Sequence, residues 1–201
     1  MSLGSSLGLA SRTVMAELQF DPSGMLQIDM DRGIVQLRGA SPRLVVPTDA
    51  LVALCGEAGP EVLADFGQRW GTELGARAAG RLGAEVTGAS VETWLAQLGG
   101  EWALAGLGNL AIERWGQALV ITVADSPVGE TGDPLIVAIL AGALQRLASR
   151  DLTVLKLSRA EGTLRTVVLA PSVAERVRAW LGDGSAWADV LVRLHDVRGG
   201  E

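Results

Sequence analysis

The chain has 201 residues, of which 48% are apolar, and its formal net charge is −6. This length can bury a sizeable core, and no apolar run reaches the ~18 uncharged residues that a membrane span requires. The acidic balance and the lack of a dense basic cluster argue against a nucleic-acid partner and against binding to anionic lipid. The only cysteine, Cys55, excludes intrachain disulfides and Cys-based zinc sites. We therefore expect a soluble, cytoplasmic protein that binds neither membrane nor nucleic acid.

The first quarter of the chain is predicted to be a flexible arm, residues 1–24, followed by a small β-rich segment, residues 25–58. Alternating apolar residues and turn residues in this segment indicate short antiparallel strands, and Pro47-Thr48-Asp49 is a good helix start. The segment is predicted to contain three strands and one short helix, over 25–30, 34–38, 43–46 and 48–55.

The chain is organised around a long helix predicted over residues 60–84. Its apolar face, at steps of mostly four, comprises Val62, Leu63, Phe66, Trp70, Leu74, Ala78 and Leu82. On a neighbouring stripe Gly67, Gly71 and Gly75 are also four apart, although each costs about 1 kcal/mol relative to alanine inside a helix. Close approach of another backbone would explain them. That backbone belongs either to a helix of the same chain, or to a dimer seam, or to the floor of a ligand cavity.

Two hairpins and two further long helices are predicted beyond this point. A helix over about 90–105, with Ser90 as N-cap, should lie antiparallel to the long helix. A helix that begins at Asp133 has no charge over 135–144, so it should be buried on most sides. The last segment, residues 171–201, is predicted to form one or two short helices that act as a lid or docking arm. The strands are predicted over 110–114, 119–124, 152–157 and 164–169.

The order of elements over residues 59–170 is helix, helix, strand, strand, helix, strand, strand. It predicts an α+β fold, in which an antiparallel four-stranded sheet is faced by helices. The β-rich segment precedes this domain, and the helical tail follows it.

This order resembles the 4-vinyl reductase domain family, a superfamily neighbour of the TRAPP vesicle-tethering subunits and of the haem-dependent nitric-oxide sensors. The likeness covers roughly residues 25–170. Residues 33–75 also look like the lead segment of the sensory domains of aromatic-responsive transcriptional activators. The local patterns that carry the resemblance are Phe66-Gly67 to Gly75, Leu107-Gly108 before the first hairpin, and Ile139-Leu140-Ala141-Gly142.

The resemblance implies a ligand-sensing or assembly fold that is commonly dimeric and whose helices enclose an apolar pocket. It does not imply vinyl reduction by this fold alone. Sensory members typically hold zinc through cysteines around the final hairpin, whereas residues 156–163 contain none, so zinc is not carried over. Haem ligation has no matching histidine inside the domain. We therefore expect no metal and no cofactor.

No residue pattern predicts catalysis. His195 is the only histidine, and its place near the C-terminus is typical of a solvated side chain. Cys55 is interpreted as a small buried hydrophobe rather than a nucleophile. The acidic clusters are interpreted as turn residues and as helix N-terminal residues, rather than as a calcium site or an acid/base pair. They are Asp21, Asp29, Asp31, Asp125, Glu130 and Asp133.

The six tryptophans give the one functional indication in the composition. They form either a Trp-rich core or the wall of a cavity for an aromatic or aliphatic molecule. The sequence shows no polar group that would orient such a ligand. The predicted lining residues are Phe66, Trp70, Trp94, Trp102, Ile136 and Leu140.

These observations predict a non-enzymatic homodimer that senses a small hydrophobic molecule and passes the signal to a separate partner. The alternative is an assembly or adaptor module, similar to the TRAPP subunits, in which a protein partner buries the same apolar surfaces and there is no small-molecule ligand. An enzyme is the third choice, because no nucleophile, base or metal set is present in the pattern.

Overall fold

The computed structural model describes residues 20–40, 42–115 and 118–198, without the side chains of Thr87, Leu191 and residues 195–198. Most of the arm predicted over 1–24 and the side chain of His195 therefore lie outside the described residues. The helices and strands, in chain order, are β1 (Leu26–Asp29), β2 (Ile34–Leu37), β3 (Pro42–Arg43), α1 (Thr48–Glu57), α2 (Pro60–Leu82), α3 (Val91–Leu104), β4 (Asn109–Trp115), β5 (Ala118–Ala124), α4 (Asp133–Ala148), β6 (Thr153–Ala160), β7 (Thr163–Leu169), α5 (Pro171–Gly182) and α6 (Trp187–Arg198).

The fold is α+β, as predicted, and its main sheet is antiparallel with the strand order β4-β5-β7-β6. Strands β4 and β5 pair as one hairpin, strands β6 and β7 pair as a second, and β5 and β7 join the two at the centre of the sheet. The turn of the second hairpin consists of Glu161 and Gly162, both with positive φ, as the type I′ hairpin turn requires. At the start of α3 the Ser90 hydroxyl oxygen accepts a hydrogen bond from the Thr93 N–H at 3.2 Å, so the predicted N-cap is confirmed.

The N-terminal segment forms a separate three-stranded sheet with the order β1-β2-β3. The prediction of a third strand over 43–46 is wrong, because β3 has only the two residues Pro42 and Arg43. Arg43 pairs with Val35, so the partner strand β2 has a single residue left before the turn at Gly33. The backbone beyond Arg43 therefore soon runs out of a partner, and Leu44–Val46 remains exposed.

Helix α2 packs mainly against α4, and less against α3. A Cβ added at Gly71 would overlap the Ile139 carbonyl oxygen, and one at Gly75 would lie 2.5 Å from the Ala143 carbonyl oxygen. At Gly67 it would lie 2.6 Å from the Cβ of a residue of α4. The glycine stripe therefore lets two helix backbones of the same chain approach closely, which is one of the three explanations that the sequence left open.

The prediction of which face of α2 is buried is partly wrong. Val62 and Phe66 belong to the predicted apolar face, but they are 64% and 48% exposed. Helix α4 lies over the glycine stripe, because only there can the backbones approach, and this leaves the far side of the apolar face uncovered. The buried residues of α2 are Leu63, Gly67, Gly71, Leu74, Gly75, Ala78 and Leu82.

The sheet carries helices on both faces. Successive residues of a strand point to opposite faces, and in β5 Ile121 belongs to the cluster beneath α2, α3 and α4, whereas Val120 belongs to a second cluster with α5 and α6. The C-terminal helices, predicted as a lid or docking arm, therefore pack on the sheet of their own chain as a third layer. Within the described residues, no helix combines the length and the apolarity needed to cross a membrane.

Candidate functional site

Five of the six residues predicted to line a cavity lie in one apolar cluster between the helices α2–α4 and the sheet. The exception is Phe66, which is about half exposed and lies outside the cluster, with its ring centroid 5.9 Å from that of Trp70. The five that come together are Trp70 and Trp94, which are partly buried, and Trp102, Ile136 and Leu140, which are fully buried. We call this set the tryptophan cluster.

The polar atoms of the two α3 tryptophans are already engaged by the backbone. Trp94 Nε1 donates to the Val86 carbonyl oxygen at 2.9 Å, and Trp102 Nε1 donates to the Leu107 carbonyl oxygen at 3.0 Å. A buried indole N–H normally finds such a partner, and these bonds fix the orientation of both rings. The rings therefore offer the cluster apolar surface rather than hydrogen-bond donors.

A buried hydroxyl lies in the loop that follows β5. Ser126 Oγ is buried and has no hydrogen-bond partner among the described residues. The Ser126 backbone lies beside Gly108, because a Cβ on Gly108 would lie 2.9 Å from the Ser126 nitrogen. The residue before Gly108, Leu107, belongs to the same buried core as Trp102. An unsatisfied buried hydroxyl costs about 1–3 kcal/mol, so it is a candidate for the polar group that the sequence did not show.

A buried carboxylate on α3 holds two arginines of α2. The Glu101 side chain is fully buried, its Oε2 accepts from Arg77 Nε at 2.7 Å, and its Oε1 accepts from Arg81 Nε at 2.8 Å. The two arginine side chains keep 12% and 27% exposure. Charge-assisted bonds of this kind are stronger than neutral ones, and they offset part of the cost of burying the carboxylate.

The same two arginines reach the N-terminal segment. Arg77 Nη1 donates to the Arg38 carbonyl oxygen at 3.3 Å, and Arg81 Nη2 lies 3.7 Å from the Met25 sulfur. The guanidinium of Arg81 also lies 4.7 Å from the centre of the Phe20 ring, within the range of a cation–π contact. The N-terminal sheet is therefore held to α2 largely by arginine contacts.

A cleft of about 350 Å³ opens where these contacts meet, between the N-terminal sheet and the helices α2 and α3. A second and larger cleft, of about 730 Å³, shares Gly39 and Arg77 with it. None of the six predicted cavity residues lines either of these two clefts. We call the first one the arginine cleft; it is lined by Met25, Arg38, Gly39, Arg77, Gly80, Arg81 and Glu101.

Sequence reasoning missed the Glu101 cluster, although a signal was present. Glu101 lies three residues after Leu98 and next to Trp102, on the apolar face of α3, where a charge needs a partner. Arg77 and Arg81 are four residues apart on α2, so both can reach one carboxylate.

A second buried carboxylate is at the start of α4. Asp133 is nearly fully buried, and it accepts from Arg159 Nε at 2.9 Å and from Lys156 Nζ at 2.8 Å. This arrangement joins α4 to β6, and its place agrees with our interpretation of Asp133 as a helix N-terminal residue. Because both cations pair closely with Asp133, its role is to hold α4 against β6.

The other residues that could take part in chemistry have roles in the structure instead. Cys55 is a free, buried thiol, and burial raises its pKa, so the interpretation as a small buried hydrophobe is confirmed. Asp21 and Asp29 accept backbone hydrogen bonds from Ser23 and Arg32, as turn residues do. In the described part of the chain, no three His, Cys, Asp or Glu side chains come together in a way that would hold a metal ion.

No protein-family model and no curated protein matches this chain. Among solved structures, it is similar to the phenol-responsive sensory domain of the transcription activator PoxR with phenol, with a TM-score of 0.58, 14% identity, and coverage of 83% of this chain and 92% of that one. A vinyl-4-reductase family protein from Methanocaldococcus jannaschii gives a TM-score of 0.41 and 17% identity, over 65% of this chain and 83% of that one.

At 14% identity, the similarity to the PoxR domain shows a common fold. The sequence pattern resembles the sensory domains of aromatic-responsive activators, and the PoxR domain is of that kind, so this part of the resemblance is confirmed at the level of the fold. The PoxR match spans 83% of the chain, so it extends beyond residues 59–170.

Proposed function

We propose that this chain is a cytoplasmic sensory domain that binds a small aromatic molecule at the tryptophan cluster, acts as a homodimer and performs no chemistry on its ligand. The observation that carries the proposal is the common fold with a phenol-responsive sensory domain over 83% of the chain. The likeness is not limited to the central α+β core, and this favours a sensory domain over a bare assembly core.

The tryptophan cluster supports an apolar ligand. The indole N–H groups of Trp94 and Trp102 are engaged by backbone carbonyls, so these rings can bind an aromatic molecule through their faces and edges. The Ser126 hydroxyl, buried and without a partner among the described residues, would orient a ligand hydroxyl. An apolar wall with one polar group that fixes orientation is the usual design of a small-molecule site.

The homodimer is supported by apolar side chains that the single chain leaves exposed. Isolated exposed apolar residues are normal, but a concentration of them marks an interaction surface. Here they are concentrated in the N-terminal sheet, in α1 and at the start of α2, where a second copy would cover them. They are Leu26, Ile28, Met30, Leu44, Val45, Val46, Leu54, Val62 and Phe66.

The test is titration of the full chain with phenol, followed by tryptophan fluorescence and calorimetry, together with native mass spectrometry of the freshly purified protein. We expect saturable phenol binding, a dimer, and at least a tenfold loss of affinity in Trp94→Ala. The matched control is Trp180→Ala, which removes an equally large side chain from the second cluster, on the opposite face of the sheet. It should leave phenol affinity within about twofold.

Ser126→Ala sharpens this test. It should weaken phenol binding while leaving toluene binding unchanged, because toluene has no hydroxyl to orient. A protein that binds neither compound, and that carries no small-molecule adduct in the native mass spectrum, would contradict the sensor.

The alternative, an assembly module that binds a protein partner, is favoured by one observation. The two clefts that we describe lie away from the tryptophan cluster, whose central residues are completely buried. Under that hypothesis Trp94→Ala destabilises the fold but has no ligand phenotype. A dimer that binds no aromatic compound would then shift the search to a protein partner for the exposed apolar residues.

A further inference from the structure

We propose that the arginine cleft is a second binding site, which takes a small organic carboxylate between Arg38 of the N-terminal sheet and Arg77 of α2. The inference rests on the charges and contacts of the cleft, and it is independent of the proposed aromatic ligand. The two sites are made by different residues.

The cleft has a surplus of positive charge. Its lining includes three arginines, Arg38, Arg77 and Arg81, and a single carboxylate, Glu101. Both oxygens of that carboxylate already accept hydrogen bonds from arginine donors. Two positive charges therefore remain without a counter-charge in the lining, in a protein whose net charge is negative.

Donor groups remain available in the cleft. Arg77 donates from Nε to Glu101 and from Nη1 to the Arg38 carbonyl oxygen, so its Nη2 has no partner among the described residues. The guanidinium of Arg38 likewise has no hydrogen-bond or ion-pair partner among the residues that the structure describes. An arginine has five N–H donors and no acceptor, so an anion is the group that complements them.

The backbone holds Arg38 at the cleft. Its N–H donates to the Met25 carbonyl oxygen at 2.8 Å, and its own carbonyl oxygen accepts from Arg77. The next residue, Gly39, has a φ of +72° and turns the chain directly after β2. The start of the Arg38 side chain is thus fixed, while its charged end is exposed.

The shape of the cleft favours an organic carboxylate over an inorganic anion. The planar guanidinium fork matches a carboxylate with two parallel hydrogen bonds. The wall also includes the Met25 side chain, which is apolar and polarisable, and a Cβ added at Gly80 would meet nothing within 4 Å. A volume of about 350 Å³ accommodates a carboxylate with a small apolar body.

Benzoate is the probe for this site, measured by calorimetry on the full chain at constant ionic strength. Arg38→Gln removes one positive charge without breaking any contact of the side chain that the structure describes. Its matched control is Arg32→Gln, the same change in the turn between β1 and β2, outside the cleft. We expect saturable benzoate binding that weakens at least tenfold in Arg38→Gln and stays within twofold in Arg32→Gln.

A second variant tests the cleft from the opposite wall. Gly80→Asp places a carboxylate in open space at the cleft and should abolish benzoate binding, whereas Gly80→Ala should preserve it. Inorganic phosphate should bind at least tenfold more weakly than benzoate.

Three results would overturn the proposal: no saturable benzoate binding, equal affinity in Arg38→Gln and Arg32→Gln, or equal affinity for phosphate and benzoate. Competition between phenol and benzoate would also overturn it, because the two sites are separate. Failure of phenol binding alone affects only the sensor proposal.

Discussion

The contacts of helix α2 with α4 and with the N-terminal sheet differ in their physical character. Against α4 it presents the glycine stripe, where the two helix backbones approach closely. Towards the N-terminal sheet it presents Glu73, Arg77 and Arg81, which make ion pairs and single hydrogen bonds at a cleft.

The difference indicates which part of the molecule can respond to a ligand. At the glycines of a close backbone crossing there is no side chain that can change its rotamer, so the two backbones have little freedom to shift. The strands of the N-terminal sheet pack mainly against one another, and their contacts with α2 are few and polar, which is typical of a region that opens at low free energy. We expect α2 and α4 to form the rigid half of the domain and the N-terminal sheet to form the adjustable half.

The largest effect is expected from Gly71→Ala. The added methyl group would overlap the carbonyl oxygen of Ile139, which belongs to a helix backbone and cannot rotate away. Overpacking usually costs about 1–3 kcal/mol, and we expect a loss of about 3 kcal/mol in the free energy of unfolding, measured with urea.

The matched control is Gly80→Ala in the same helix, where a Cβ would meet nothing within 4 Å. It should raise the free energy of unfolding by about 0.5–1 kcal/mol through helix propensity. Equal effects at the two positions would mean that the glycine stripe is not a close crossing.

Glu101→Gln tests the ion pairs of Arg77 and Arg81. The variant leaves Arg77 and Arg81 without the carboxylate that both contact, but their partial exposure lets water replace some of the lost interaction. Removing one partner of a fully buried pair costs about 3–5 kcal/mol, so we expect about 2 kcal/mol here. The control is Glu73→Gln, which breaks the exposed pair with Arg43 and should cost less than about 1 kcal/mol.

The local signals in the sequence predicted the elements of this fold well. Apolar periodicity gave the helices and the two hairpins to within a few residues at each end, and Ser90 gave the start of α3 correctly. Each of these signals depends on neighbours within about four residues along the chain. The order of elements was then sufficient for the fold class.

The errors concern which elements meet in space. Counting only large apolar residues placed Phe66 on the buried face of α2, because a glycine stripe carries no side chain to count. The same local reasoning treated the C-terminal helices as an arm, although the second face of the sheet needs a cover. The Glu101 cluster was missed because its partners lie on another helix, 20 and 24 residues earlier in the chain.

The labelling rate of Cys55 tests whether α1, the helix that follows the N-terminal sheet, opens separately from the core. The Cys55 side chain is buried, so a reagent can reach it only when α1 opens. Burial also raises the pKa of this thiol, whose thiolate is the reactive form. We expect labelling by an aromatic disulfide at pH 8 to be much slower than in the unfolded chain. The rate should be the same in Gly71→Ala and in the unchanged protein, because the opening is local.

If Cys55 becomes accessible only when the whole domain unfolds, the result is different. A loss of about 3 kcal/mol in Gly71→Ala would then accelerate the reaction roughly 100-fold, since 1.4 kcal/mol is a factor of ten. That acceleration would mean that α1 and the core open as one unit.

The smallest effect is expected from the ion pair of Glu92 on α3 with Arg114 on β4, both largely exposed. The hydrogen bond from Arg114 lowers the pKa of the Glu92 carboxyl. A carboxyl whose pKa is lower in the folded state stabilises the fold above its unfolded pKa of about 4.3, and this contribution is lost as pH falls through the folded value. Glu92→Gln should therefore be slightly less stable than the unchanged protein at pH 7, and the difference should vanish at strongly acidic pH.

Since the pair is solvated, the difference in stability at pH 7 should also shrink in 1 M salt. The cost of Gly71→Ala is steric, so it should not depend on salt. A difference that is independent of both pH and salt would mean that Glu92 contributes by packing and not by its charge.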